Sequence, residues 1–150
     1  MRINRVKIIS SLWLLWALLH ILPGMFLIID AVAGDISSIQ FLFPETRPDE
    51  LMRDYPEEVA AILVTFGQHG FNLFWFGLVA LIGSALIWFR ESRTALLVTA
   101  IVIGLADLGA VFAAIMIGRI DIVGVLIFSG TAGGLALTYS VLSNSKQADD

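Results

Sequence analysis

The chain has 150 residues, of which 58% are hydrophobic and 15% are charged, whereas a soluble domain has roughly 45–50% and about 25%. Its net charge is −4, and no basic patch interleaved with aromatic residues is present, which excludes a nucleic-acid interface. The absence of cysteine excludes disulfides, thiol nucleophiles and thiolate metal sites. The length suits a single membrane domain over residues 1–150.

Four long apolar runs dominate the chain. A helix needs about 20 mostly apolar residues to cross roughly 30 Å of hydrocarbon, and helices are favoured because backbone groups in lipid must pair internally. The runs contain a single charge, Asp107. We therefore predict an all-α, polytopic membrane protein that forms a four-transmembrane-helix bundle. The predicted crossings are residues 8–29, 59–89, 94–117 and 122–142.

The basic residues at the ends of the runs predict the orientation. Cytoplasmic loops carry an excess of lysine and arginine, and six of the nine basic residues lie on the side of the N-terminus. We expect an N-in/C-in protein of the cytoplasmic (inner) membrane, with the lipid bilayer as its first partner. The six are Arg2, Arg5, Lys7, Arg90, Arg93 and Lys146, and the other three are Arg47, Arg53 and Arg119.

Residues 30–58 form one long acidic outer loop. Within it, Pro48 is predicted to open a short helical turn and Pro56 to occupy the first turn of the second crossing. The apolar residues 39–43 are expected either to lie at the membrane interface or to fold back over the bundle. The loop is either a lid or partner-docking surface or a solvated connector, and we favour the connector. Its eight acids are Asp30, Asp35, Glu45, Asp49, Glu50, Asp54, Glu57 and Glu58.

The second crossing carries a polar stripe. Its members recur at i, i+3, i+4 and i+7, so they share one helix face. Polar groups within a crossing are costly, and we expect this face to point into the bundle. Gly67 and Gly70 flank the stripe and allow close helix approach. The stripe consists of Thr65, Gln68, His69 and Asn72.

The first and third crossings add two ionisable residues. His20 shares a helix face with Trp13 and Trp16 and precedes Pro23, which can kink the helix. Asp107 lies in a stripe of small residues and needs a cation or several donors, for which His20 and His69 are candidates. We predict a cluster of these groups in the outer half of the membrane. The candidate ligand-binding residues are His20, Gln68, His69, Asn72 and Asp107.

Several chemistries fit such a cluster. His20 and His69 could ligate haem b axially, and two histidines with one carboxylate could hold a metal, but we predict neither cofactor nor metal. A proton relay, or an acid–base pair in a transporter or lipid isomerase, is more consistent with histidine and aspartate. No catalytic residue is assigned. The alternative is a structural or accessory subunit of a membrane complex, in which the polar residues set helix register.

The fourth crossing resembles a packing helix. Gly130 and Gly134 have GxxxG spacing, which favours close contact within the bundle, with a second copy or with a membrane-complex partner. In layout, with a short inner loop, a longer outer loop and glycine-rich crossings, the chain resembles the small four-helix bacterial membrane families labelled DoxX-like. This resemblance is architectural and assigns no role to any residue.

A signal peptide is the competing interpretation of the first crossing. A basic leader precedes the apolar run, and Ala31-Val32-Ala33 has the form of a signal-peptidase site. Against cleavage, the run is longer than the usual 7–15 residues. We therefore expect the first crossing to be retained.

Overall fold

A computed structural model describes residues 2–42, 45–116, 118 and 122–146, and every regular element in them is helical. Four of the six helices are long and apolar enough to cross a membrane, which confirms the predicted four-helix membrane bundle. The helices are α1 (Arg2–Ala33), α2 (Ile39–Leu42), α3 (Pro48–Asp54), α4 (Pro56–Arg90), α5 (Arg93–Met116) and α6 (Ile122–Lys146).

Local sequence signals define the helix ends. Pro48 and Pro56 are the first residues of α3 and α4, as predicted, because a first-turn proline sacrifices no helical hydrogen bond. Helix α1 continues through Pro23 to Ala33 and is followed by Gly34 with φ of 72°. This left-handed position suits glycine, which has no Cβ to clash.

The turn between α4 and α5 consists of two residues. Glu91 has φ of 48° and its N–H donates to the Ile87 carbonyl, which ends α4. The Ser92 hydroxyl then accepts from the Ala95 N–H at 3.2 Å. This contact is an N-cap that satisfies an otherwise unpaired donor of α5. The short connection places α4 and α5 side by side.

The chain divides into two compact units. The first contains residues 1–18 and 76–150, and the second contains residues 19–75. The first unit holds the main apolar core, which is formed by residues of α1, α4 and α5. Core residues of this unit include Ile9, Trp13, Ala17, Ala80, Ile87, Leu96 and Ile103.

In the second unit, α1 and α4 meet through glycine. A methyl group added to Gly24 would lie 2.6 Å from the Phe74 backbone nitrogen and 2.7 Å from the Gly70 carbonyl oxygen. One added to Gly70 would lie 2.8 Å from the Gly24 carbonyl oxygen. The two backbones are therefore in direct contact, which confirms that Gly70 serves close helix approach.

In the first unit, glycines also allow close helix contact, but here they face side chains rather than backbone. The ring of Trp13 packs on Gly134, where an added methyl group would lie 2.7 Å from Trp13 Cζ3. Gly83 of α4 accommodates Thr99 of α5 in the same way. The fourth crossing therefore packs through Gly134 within the chain. Gly130 is exposed, and a methyl group added to it would meet no described atom within 4 Å outside its local helix segment.

Substituting Gly24 or Gly70 with alanine should destabilise the protein by about 1–3 kcal/mol, since the added methyl group must displace backbone atoms. Reversible unfolding in detergent micelles measures the change. Gly109→Ala is the matched control, because nothing in the described structure lies within 4 Å of the position of its added Cβ. A control that loses as much stability as Gly24→Ala would contradict the contact.

Candidate functional site

Asp107 is the carboxylate buried in a crossing of the first unit. Its residue is only 5% exposed, and it lies 14 residues after Arg93, the first residue of α5, or about 21 Å along the helix at 1.5 Å per residue. This depth places the group well inside the hydrocarbon region. A carboxylate there persists only if protein groups replace its water.

Two side chains from other helices donate to this carboxylate. The indole Nε1 of Trp16 on α1 donates to both Oδ1 and Oδ2 at 3.2 Å. The Thr131 hydroxyl on α6 donates to Oδ2. Trp16 and Thr131 are each 5% exposed. These bonds join α1, α5 and α6 at one level, and we call Trp16, Asp107 and Thr131 the carboxylate site.

The helices of the first unit also contact one another on the side of the site toward the start of α1 and α5. Gly104, one turn before Asp107, faces Leu135 of α6, and an added methyl group would lie 3.5 Å from a Leu135 methyl carbon. Toward the N-terminus of α1, the Ser10 hydroxyl donates to the Ser84 carbonyl of α4 at 2.7 Å. The Gly104 contact agrees with the expected packing role of the small-residue stripe of α5 at this level.

The other predicted site residues belong to the second unit. His20 is half-buried on α1 and Asn72 is half-buried on α4, whereas Gln68 and His69 are exposed. Thr65 is also exposed, and its hydroxyl donates to the Ala61 carbonyl of its own helix at 2.9 Å. The joining of His20, His69 and Asn72 with Asp107 stays a prediction.

The polar stripe and the glycine face of α4 point in different directions. Phe66 and Gly70 are buried on the side that packs against α1. At 100° per residue, the centre of the polar stripe lies roughly 130° around the helix from Phe66 and Gly70. The glycines that flank His69 in sequence therefore serve the contact between α1 and α4 rather than the surroundings of the imidazole.

Two members of the carboxylate site were not predicted as ligands of Asp107. The sequence pattern places Trp16 on an aromatic face shared with Trp13 and His20, and it gives no partner for Thr131. Each residue type nevertheless indicates a helix contact. A buried indole N–H needs an acceptor. A threonine among glycines lies where two helices approach closely. Neither signal specifies the partner.

The outer loop is partly ordered by its own polar groups. Asp35 accepts from the Ser37 N–H at 2.7 Å and from the Ser37 hydroxyl at 3.0 Å. Arg47 pairs with Glu50 at 2.8 Å on the surface of α3, and this hydrogen bond raises the pKa of the Arg47 guanidinium above its ordinary value. No residue of α3 is buried, so its acids remain accessible to solvent or to a partner.

No group of three or more histidine, aspartate or glutamate side chains able to hold a metal occurs in the described part of the chain. The hypothesis of a site with two histidines and one carboxylate therefore gains no support from it. Comparison with protein-family models, with curated proteins and with solved structures found no match to this chain. Function is therefore derived below from the chemistry of the carboxylate site.

Replacing Thr131 with valine should lower the free energy of unfolding by about 0.6–1.7 kcal/mol, the range for hydrogen bonds between membrane helices. Valine keeps the shape of threonine but removes the donor to Asp107. Thr131→Ser, which keeps the hydroxyl, is the control and should retain most of this contribution. Reversible unfolding in mixed micelles provides the comparison, and equal stability of the valine and serine variants would refute the role of the hydroxyl.

Proposed function

We propose that this small integral membrane protein binds and releases a proton at Asp107 while it holds a small or lipidic ligand in its outer half. The observation that carries the proposal is the burial of the Asp107 carboxylate against Trp16 and Thr131, within a crossing. Ionisable groups within membrane-spanning helices are rare, and they typically mark ion, proton or substrate pathways.

The donor set supports two protonation states. An ionised Asp107 accepts from the Trp16 indole, which only donates, and from the Thr131 hydroxyl. When the carboxyl group is protonated, the hydroxyl of Thr131 can rotate and accept from it, while the second oxygen still accepts from Trp16. The site therefore keeps its hydrogen bonds in both states without moving a helix.

The polar side chains of the second unit are the proposed contacts to the ligand. His20 follows Trp16 by one turn of α1, and histidine changes its charge near neutral pH. Gln68 and His69 are exposed, and Asn72 is half-buried, so they have groups accessible for binding. Amide and imidazole groups both donate and accept hydrogen bonds, which suits a neutral polar or headgroup-like ligand.

The proposed membrane is the cytoplasmic membrane, with both termini in the cytoplasm. The support is the excess of basic residues at the end of the bundle that carries the termini. The outer loop then carries the acids to the opposite side, where they lie on the route toward the ligand region.

An accessory subunit without its own chemistry is the second candidate. The carboxylate site joins three helices, which is also what a register-setting contact would do. The exposed acids of α3 and the open surface at Gly130 would provide the partner contacts, either to another subunit or to a second copy. The two candidates differ in whether the proton on Asp107 changes during activity.

Infrared difference spectra recorded between low and high pH should show the carbonyl stretch of a protonated carboxyl group that Asp107→Asn removes. The matched control is Asp35→Asn, whose carboxylate lies in the outer loop and should leave the band intact. The same pair in proteoliposomes, read with an internal pH dye, should show proton uptake that only Asp107→Asn abolishes. A folded Asp107→Asn variant with unchanged spectra and uptake would favour the accessory subunit.

Single-cysteine labelling tests the orientation without background, because the native chain has no cysteine. A membrane-impermeant maleimide added to intact cells should label the Ser37→Cys variant in the outer loop. The Thr94→Cys variant, in the first turn of α5, should react only after the membrane is permeabilised. The opposite pattern would reverse the proposed orientation.

A further inference from the structure

A groove of about 490 Å³ runs along the outside of α1 and α4 within the first unit. It lies near the end of the bundle where α1 begins and α4 finishes. Its lining combines one cation and one hydroxyl with apolar side chains. The lining residues are Lys7, Ile8, Ser11, Leu12, Leu15 and Trp88.

The groove is polar at its mouth and apolar along its floor. Lys7 directly precedes the apolar run of α1, and Trp88 lies two residues before Arg90 at the end of α4. Both positions belong to the membrane–water interface, where tryptophan and lysine are enriched. The floor extends from this level into the hydrocarbon and ends at Leu15, about 12 Å along the helix axis.

A cation–π contact holds the ammonium group in place. Lys7 Nζ lies 5.4 Å from the centroid of the Trp88 ring, within the range in which the ring attracts a cation. The exposed lysine side chain is thereby positioned at the mouth of the groove. One turn deeper, Ser11 supplies a hydroxyl between the ammonium group and the leucines.

The same end of the bundle is positively charged. Arg5, Arg90 and Arg93 are exposed there, beside Glu91 of the turn between α4 and α5. Basic residues near a membrane surface attract anionic lipids by about 1 kcal/mol each. A negative group at the groove mouth would therefore be drawn to Lys7 by local contact and by the field of its neighbours.

We propose that this groove binds one anionic phospholipid, with its phosphate on Lys7 and one acyl chain along Ile8, Leu12 and Leu15. The Ser11 hydroxyl lies at the depth of the ester groups and can donate to one of them. The order of charge, hydroxyl and apolar floor matches the order of phosphate, ester and acyl chain in such a lipid.

Two other occupants fit less well. A soluble phosphate would use only Lys7 and would leave the apolar floor exposed. A helix of a second copy packed here would bury the lysine in a low-dielectric contact, which is costly for an ammonium group. The proposal is independent of proton binding at Asp107, because no residue of the carboxylate site lines the groove.

Native mass spectrometry of the detergent-solubilised protein tests the site. Phosphatidylglycerol should bind more tightly than phosphatidylcholine with the same acyl chains, by about fivefold for the one lysine in contact. Lys7→Gln should remove this preference. Arg93→Gln, which deletes a charge at the same end but outside the groove, should keep most of it. Equal losses in the two variants would overturn the site in favour of general surface charge.

Filling the groove gives a second measurement. Ser11 is exposed, so Ser11→Trp should fold normally while occupying the path of the acyl chain. This variant should lose the tight phosphatidylglycerol adduct. Glycerol phosphate at the concentration of the lipid should fail to displace the adduct from the native protein. Retention of the adduct by Ser11→Trp, or its displacement by glycerol phosphate, would overturn the proposal.

Discussion

A charge in hydrocarbon must be solvated by protein, and this requirement on Asp107 organises the first unit. Trp16 of α1 and Thr131 of α6 both donate to it, so these bonds fix both the rotation of these helices and their height relative to α5. Trp13 precedes Trp16 by three residues, and Gly134 follows Thr131 by three. The hydrogen bonds and the neighbouring packing of Trp13 on Gly134 therefore specify the same antiparallel register.

The elements of this fold were predictable because their causes are local. Hydropathy defines a crossing from about 20 consecutive residues, and the prolines at positions 48 and 56 mark helix starts through their own backbone geometry. The burial of Asp107 was predictable too, since it lies in a stripe with Ala100 and Gly104. Each of these features depends on residues that are near one another in sequence.

The partners of Asp107 were not predictable in the same way. A hydrogen bond between helices depends on the rotation and the axial shift of one helix relative to the other. Neither quantity is determined by the sequence of a single helix. Trp16 is 91 residues from Asp107, and its indole fits an aromatic packing face as well as a donor role. The sequence indicated that a donor was needed and left several residues able to supply it.

The second crossing shows how one segment of sequence can supply two different helix faces. The polar stripe and the glycines are interleaved between residues 65 and 72, yet a helix separates them onto different faces. Gly70 contacts Gly24 because only backbones without side chains can approach so closely. The glycines thus decide which side of α4 meets α1, and the polar groups occupy the remaining surface.

The contact between Trp13 and Gly134 also has an evolutionary consequence. The Trp13 ring occupies the space beside the Gly134 backbone, so the side-chain volume at either position limits the volume that the other position can accommodate. A bulkier residue at position 134 would be tolerated only after Trp13 had become smaller, and the order of the two changes would matter. Related chains with this helix arrangement should therefore show epistasis between these positions, with total volume preserved while the individual residues vary.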